Sequence, residues 1–91
     1  MCLAKLHCKE SKLVTINDRT FSFQIASDVV RNSIGVELYE YIKGENVLVA
    51  EFVRNDTTRT IEFNASGIIL PYEVLLELQA VFEAEIPKQF E

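Results

Sequence analysis

The two cysteines and the single histidine of this chain lie close together in the sequence and are the first candidates for chemistry. Cys2, His7 and Cys8 offer at most three soft ligands, whereas a zinc site needs four ligands at tighter spacing. A disulfide between the two cysteines would close a very short loop and constrain little of the chain. His7 is the only histidine of the chain, and the sequence contains no motif that would combine it with a poised nucleophile and an orienting group. We therefore predict free thiols, no bound metal and no cofactor.

Two glutamates are the remaining candidates for acid–base chemistry, because each interrupts a run of apolar strand residues. Glu40 and Glu51 would act as general acid and general base if their surroundings separated their pKa values. The alternative is that they lie at the rim of a sheet, or pair with Arg54 or Arg59 on a neighbouring strand. We favour the alternative, because burying a carboxylate without a partner is costly. The sequence predicts a non-enzyme, and a small carboxylate-dependent enzyme is the least favoured function.

The composition is typical of one folded, acidic domain. Apolar residues make up 48% of the 91 residues and charged residues 25%, and the net charge is −5. Residues 1–35 carry five basic and three acidic side chains, whereas residues 36–91 carry four basic and eleven acidic ones. This acidic part would repel phosphate backbones, so nucleic acid is not the expected partner. With neither a membrane-spanning stretch nor a signal-peptide pattern, we expect a cytoplasmic protein.

Alternating apolar and polar residues predict an antiparallel sheet between residues 12 and 64. Turn-forming residues separate the predicted strands, as at Asn17-Asp18 and at Gly44-Glu45-Asn46. Residues 1–11 are expected to be a flexible segment or an edge strand. The predicted strands cover residues 12–16, 20–25, 36–43, 47–54 and 59–64.

Residues 26–35 do not follow the strand pattern and predict a short helical turn. Ser27 or Asp28 would cap this turn, because their side chains can accept a hydrogen bond from its first N–H groups. Gly35 would end it in a left-handed conformation.

Two of the predicted strands, 36–43 and 47–54, are apolar on both faces. A strand that is covered on one side only should alternate cleanly between apolar and polar residues. We therefore expect both faces of the sheet centre to be covered, one by a helix and the other in part by a second copy of the chain. The residues on the two faces are Val36, Leu38 and Ile42 against Tyr39 and Tyr41, and then Val47, Val49 and Val53 against Leu48, Ala50 and Phe52.

Residues 71–86 carry the strongest helical pattern in the chain. Pro71 suits the first helical position, Glu73 lies near the positive end of the helix dipole, and Pro87 stops the helix. A core stripe at i, i+3 and i+4 spacing is predicted. A second, lighter apolar ridge recurs every four residues. The stripe consists of Val74, Leu75, Leu78, Val81 and Phe82, and the ridge of Tyr72, Leu76, Ala80 and Ala84.

The order of strands followed by the segment GIILPYEVLLELQAVF resembles that of one known family, over about Val36 to Ile86. The resemblance rests on a short hairpin at residues 43–46, the lead of residues 67–71 into the helix, and leucines inside the helix. The family is the positive-cofactor-four type of transcriptional coactivator, which binds single-stranded DNA. The resemblance implies a curved four-stranded antiparallel sheet, a closing helix and a dimer. The implied nucleic-acid contacts are Tyr39, Tyr41, Lys43, Arg54 and Arg59.

The chain departs from this family in its charge. A single-strand binder needs a basic groove with aromatic stacking platforms. Here the glutamates at positions 37, 40, 51 and 62 flank the basic candidates and largely cancel them. The fold implied by the resemblance does not by itself carry its function.

The sequence thus predicts a single α+β domain over residues 1–91, an antiparallel β-meander of four to five strands with a C-terminal α-helix packed on one face. The predicted function is a non-catalytic protein-interaction module, a homodimer with a regulatory or immunity-like role whose acidic surface suits a basic protein partner. Single-stranded nucleic-acid binding is the alternative. The predicted interface residues are Tyr72, Leu76, Ala80, Ala84, Tyr39 and Tyr41.

Overall fold

Five antiparallel strands follow one another across a single sheet, and each strand pairs with the next one in the chain. A C-terminal helix, α1, packs on one face of this sheet against the first four strands. The predicted α+β meander with a closing helix is therefore confirmed. The elements are β1 (Leu13–Ile16), β2 (Arg19–Asp28), β3 (Ser33–Ile42), β4 (Glu45–Asn55), β5 (Thr60–Ala65) and α1 (Tyr72–Glu85).

The structure, a computed structural model, describes residues 13–87. The expectations for residues 1–11, including the two cysteines and the histidine, lie outside the described residues. So does the predicted start of the first strand at Lys12.

Short turns with positive φ angles set the register of the first and third hairpins. Asn17 and Asp18 have φ angles of 51° and 65°, and Lys43 and Gly44 have φ angles of 51° and 85°. Two consecutive positive φ angles are typical of the two-residue hairpin turn whose twist matches that of the flanking strands. Asn, Asp and Gly adopt this conformation at low cost, which is why the turn at Asn17-Asp18 could be predicted. The third turn lies at Lys43-Gly44, and Glu45 and Asn46, which were predicted to be turn residues, are the first residues of β4.

The turn predicted within residues 26–35 is present after Asp28, but its predicted extent and its end at Gly35 are wrong, because residues 26–28 belong to β2 and residues 33–35 to β3. β2 continues to Asp28, whose side chain accepts a hydrogen bond from the N–H of Arg31 at 3.2 Å. Asn32 has a φ angle of 56° and completes the turn before β3. Gly35 lies inside β3, where a Cβ atom would come within 2.1 Å of the carbonyl oxygen of Phe52. A close backbone approach, not a helix end, explains this glycine.

A β-bulge in β4 explains why its sequence is apolar on both faces. Leu38 pairs with Ala50 and Tyr39 pairs with Leu48, which leaves Val49 without a partner on β3. The extra residue shifts the strand by one position. Val49 and Ala50 are consequently both buried in the core beneath α1. The pattern of this strand is therefore not by itself a sign of a second covering layer.

The core lies between α1 and the sheet, and α1 contributes Val74, Leu78 and Phe82 to it. Burying a side chain of this size stabilises the fold by about 1.5–3 kcal/mol. Leu75 and Val81 of the predicted stripe are only partly buried. Pro71 is the residue that precedes the first helical position, one residue earlier than predicted. The sheet contributes Phe21, Phe23, Val36, Leu38, Val49 and Ala50 to the core, and Ile86 closes its end.

Candidate functional site

Glu40, one of the two candidate catalytic carboxylates, is buried on the helix side of the sheet and forms an ion pair. Arg19 donates from Nε to Oε2 and from Nη2 to Oε1, both at 2.8 Å. The prediction that Glu40 lies at the rim or pairs with Arg54 or Arg59 is therefore wrong. Arg19 is the first residue of β2 and Glu40 lies on β3, so no short-range pattern in the sequence predicts their pairing.

The pair between Arg19 and Glu40 also fixes the segment that leads into α1. The third guanidinium donor, Nη1, bonds the carbonyl oxygen of Ile69 at 3.0 Å, and the guanidinium lies 5.3 Å from the ring centroid of Phe21. The hydrogen bond from Arg19 lowers the pKa of Glu40, and the same bond raises the pKa of Arg19. A carboxylate held ionised by a bidentate partner is a structural group, not an available proton donor.

Glu51, the second candidate carboxylate, lies on the opposite side of the sheet from Glu40. It stands directly across from Glu37 on the face that α1 leaves uncovered, which we call the open face. Glu40 and Glu51 are thus separated by the sheet itself. The carboxylate pair considered from the sequence is not assembled.

A polar row crosses four strands of the open face. Gln24 pairs with Glu37, Glu37 with Glu51, and Glu51 with Asn64. Glu37 accepts a hydrogen bond of 2.5 Å from the hydroxyl of Tyr39, and Glu51 accepts one of 3.2 Å from the Asn64 amide. Among the described residues, neither carboxylate has a cationic partner. We call Glu37 and Glu51 the acidic pair.

The two carboxylates of the acidic pair repel each other and destabilise the sheet at this position. Like charges directly opposite each other on neighbouring strands destabilise a sheet. The hydrogen bond from Tyr39 to Glu37 spreads part of that charge and raises the pKa of the Tyr39 phenol to about 12. A nearby cation would relieve the remaining repulsion.

A shallow depression of about 300 Å³ opens beside the acidic pair. Its floor is low because Gly35 and Ala26 pair with each other there and carry almost no side chain. Both members of the acidic pair line it on one side, and Asp28 and Arg31 line it near the hairpin end. The depression is open and polar, so it fits one extended or flexible side chain better than an enclosed small molecule.

The outer side of α1 is a second exposed surface, and it carries the predicted ridge. Tyr72 is 70% exposed and Leu76 is 46% exposed, and Ala80 and Ala84 are exposed as well. Ile69, in the lead to the helix, is 87% exposed. This surface is apolar, but only its first part carries large side chains.

The residues predicted to form one interface lie on two opposite surfaces. Tyr39 and Tyr41 are on the open face, as their pairing with Leu48 and Asn46 shows, whereas the ridge lies on the far side of α1. Tyr41 is exposed and Tyr39 is partly buried. A single flat partner cannot cover both surfaces, so they stay two separate predictions.

The five residues considered for nucleic-acid binding are dispersed. Tyr39 and Tyr41 lie on the open face, and Lys43 lies in the turn between β3 and β4. Arg59 lies in the turn between β4 and β5, at the other end of β4. Arg54 faces the helix side. These residues do not line a common groove.

Arg54 is further tied to its own surroundings. Its Nη1 donates to the carbonyl oxygen of Pro87 at 2.6 Å, and its Nη2 donates to Asp56 at 3.1 Å. Its Nε lies 3.0 Å from the other carboxylate oxygen of Asp56. The guanidinium anchors the end of α1 and is not available for a phosphate.

Residues 13–87 contain no cluster of three or more His, Cys, Asp or Glu side chains that could hold a metal ion. In the same part of the chain, no helix is both long and apolar enough to cross a membrane.

Three residues that matter to these surfaces carry no clear signal in the sequence. Arg19 is an ordinary residue of an alternating strand, and its partner is known only once β2 and β3 pair. The depression depends on Gly35, which the sequence interpretation placed at a helix end. Asn64 joins the polar row through a register that short-range patterns do not specify.

Comparison with known proteins gives no information about function, so the function is inferred from the geometry of the structure. No family model matches this chain, and neither a curated protein nor a solved structure shows significant similarity to it. The resemblance to the coactivator family therefore stays a prediction from the residue pattern.

Proposed function

We propose that this chain is a non-catalytic, cytoplasmic protein-interaction module that acts as a homodimer and binds a basic segment of another protein on its open face. The acidic pair is the observation that carries the proposal. Within residues 13–87, Glu37 and Glu51 face each other without a cationic partner, at a cost in stability that a Lys or Arg from a partner protein would offset.

The surroundings of the acidic pair suit such a side chain. The depression above Gly35 gives room for an aliphatic stem, and the carboxylates at its edge can accept hydrogen bonds from an ammonium or guanidinium group. Tyr39, the next residue of β3 on the same face, donates its hydroxyl to Glu37 and so orients that carboxylate beside the depression. The net charge of −5 favours approach of a basic partner.

The homodimer is supported by the apolar surface that one copy leaves exposed. Large apolar side chains are exposed on the outer side of α1 and along β5. In a small chain, neighbouring exposed apolar side chains such as Ile61 and Phe63 favour contact with another polypeptide. A dimer that presents two acidic faces fits a regulatory or immunity-like role, in which a basic surface of another protein is covered.

The test is binding of fluorescent peptides at low salt, with a Lys/Arg-containing peptide compared with its Gln-substituted version. We expect the basic peptide alone to bind, more weakly as salt increases, because the contact is between exposed charges. Glu51→Gln should weaken binding, whereas the control Glu45→Gln, which removes the same charge from the β3–β4 hairpin, should not.

Two results would contradict the proposal. If both glutamine variants weaken binding equally, the effect is one of net charge and not of the acidic pair. If a single-stranded oligonucleotide binds and the peptide does not, the nucleic-acid alternative is correct.

A further inference from the structure

β5 is an edge strand with an exposed apolar side. Within residues 13–87 its only strand neighbour is β4, and α1 does not contact it. Ile61 and Phe63 are 42% and 45% exposed. Phe63 lies on the helix side of the sheet, because its ring centroid is 4.9 Å from that of Phe52, which in turn contacts Phe82 of α1. The helix covers the sheet up to β4 and leaves these two side chains uncovered.

The backbone of β5 presents a regular set of unpaired groups along this edge. The N–H of Ser66, just after the strand, bonds the carbonyl oxygen of Val49 on β4 at 3.0 Å. Alternate residues of an antiparallel strand turn their N–H and C=O groups to the same side. Ile61, Phe63 and Ala65 therefore point their backbone groups away from β4, toward the edge.

Apart from one charged side chain, Glu62, β5 lacks the features that normally prevent edge strands from pairing. Its sequence, TIEFNA, contains no proline and no lysine, and its register with β4 is regular over all six residues. β1, at the opposite edge, is only four residues long. β5 is thus the longer of the two described edge strands, and it exposes the apolar side chains of Ile61 and Phe63.

We propose that two copies of this chain pair antiparallel along β5, centred on Phe63, and so form one continuous sheet. This inference rests on the homodimer of the proposed function and assigns its interface. Phe63 then faces Phe63 of the second copy, Ile61 faces Ala65, and Glu62 faces Asn64. The three odd-numbered positions exchange about six backbone hydrogen bonds across the edge.

Self-complementarity of β5 makes a second copy the occupant. A two-fold symmetric contact requires each residue to meet a compatible residue of the same segment. Centring on Phe63 joins two aromatic rings and gives each Glu62 an amide as its neighbour. Centring on Glu62 instead would place two carboxylates opposite each other. Charge therefore disfavours the register centred on Glu62.

The paired sheet also has a consequence for the acidic pair. A two-fold axis perpendicular to the sheet keeps both α1 helices on one side and joins the two open faces on the other. The polar rows, each ending at Asn64 of β5, then meet at the centre of the dimer. One long basic segment can contact both acidic pairs, which raises its apparent affinity beyond that of either site.

Disulfide trapping tests the interface and its register. Single cysteines are introduced at Phe63, Glu62 and Leu76 in a background with Cys2→Ser and Cys8→Ser, and each variant is oxidised with oxidised glutathione. Residues paired across the edge have Cα atoms about 5.5 Å apart, within the range of about 4.4–6.8 Å that a disulfide spans. We expect Phe63→Cys to form a covalent dimer, and Glu62→Cys and Leu76→Cys to stay monomeric on a non-reducing gel.

Other outcomes separate this inference from the proposed homodimer. Cross-linking of Leu76→Cys alone would overturn the β5 interface and place the dimer on the outer side of α1. Cross-linking of Glu62→Cys alone would overturn the register. A monomer by sedimentation at every concentration would overturn the homodimer and the inference together. If Phe63→Cys fails to fold, a mixture of Ile61→Cys and Ala65→Cys chains tests the same register, and absence of their mixed disulfide would overturn it.

Discussion

Replacing Glu51 by glutamine should stabilise the fold and weaken binding of the basic partner at the same time. The substitution keeps the size of the side chain, and its carbonyl oxygen can still accept the hydrogen bond from Asn64. It removes only the charge that faces Glu37 across the two strands. A purely structural glutamate would show the opposite effect on stability.

The expected size follows from the position of the acidic pair. Both side chains are partly exposed, so water screens their repulsion, and directly opposed cross-strand pairs contribute about 0.2–1 kcal/mol. We expect Glu51→Gln to raise the free energy of unfolding by ~0.5 kcal/mol at low salt. For a domain of this size that corresponds to about 2–4 °C in Tm. The gain should shrink as salt is added.

The assay is thermal unfolding followed by circular dichroism, with peptide affinity measured on the same samples. Loss of one of two carboxylates that contact a cation should weaken the basic peptide about fivefold, equivalent to ~1 kcal/mol. The control Glu45→Gln should change neither quantity in this way. A lower Tm for Glu51→Gln, or a higher Tm without any loss of affinity, would contradict the role of the acidic pair.

Three further predictions concern the groups that hold the sheet and the lead to α1. Arg19→Met should destabilise the fold by about 3 kcal/mol, because it leaves the buried carboxylate of Glu40, 8% exposed, without a partner. Glu40→Gln should cost less, because the group it leaves unpaired, Arg19, is 30% exposed. Urea unfolding measures both effects. The lowered pKa of Glu40 contributes stability above the ordinary carboxyl pKa that is lost as pH falls through its folded value, so the deficit of Arg19→Met should shrink in acid. An absorbance titration of Tyr39→Phe should lack the phenol that ionises at about pH 12. The raised pKa of Tyr39 contributes stability that is lost as pH rises through that value. Gly35→Ala should cost more than ~3 kcal/mol or prevent folding, because its Cβ would overlap the backbone of β4.

Each of these predictions has a contrary result. If Arg19→Met and Glu40→Gln destabilise the fold equally, the solvent exposure of the group left unpaired does not determine the loss of stability. An unchanged titration of Tyr39→Phe would mean that another tyrosine has the high pKa. A stable Gly35→Ala variant would show that β3 and β4 separate easily at this point.

The sequence carried enough information for the elements and their order. Alternation along residues 20–25 and the turn residues Asn17-Asp18 act over a few positions, so β2 and the first hairpin were predictable. The same holds for α1, whose start after Pro71 and core spacing are local features. The ends of strands do not follow from local pattern alone, because residues 26–28 continue β2 only through their pairing with β3.

The details that shape the surfaces depend on long-range pairing. The bulge at Val49 moves Ala50 and Phe52 to the helix side, and nothing in residues 47–54 alone marks the shift. The ion pair of Arg19 with Glu40 joins residues that are 21 positions apart. The separation of Tyr39 from Leu76 by the whole sheet is likewise a property of the fold. The sequence therefore identifies candidate residues, but only the fold shows which of them lie close together.

The most direct measurement of the central claim is a nuclear magnetic resonance titration of the isotope-labelled full chain with the Lys/Arg-containing peptide. We expect chemical-shift changes for Glu37, Tyr39, Glu51 and Asn64 on the open face, and none on the outer side of α1. Changes confined to Tyr72 and Leu76, or no changes at any peptide concentration, would contradict it.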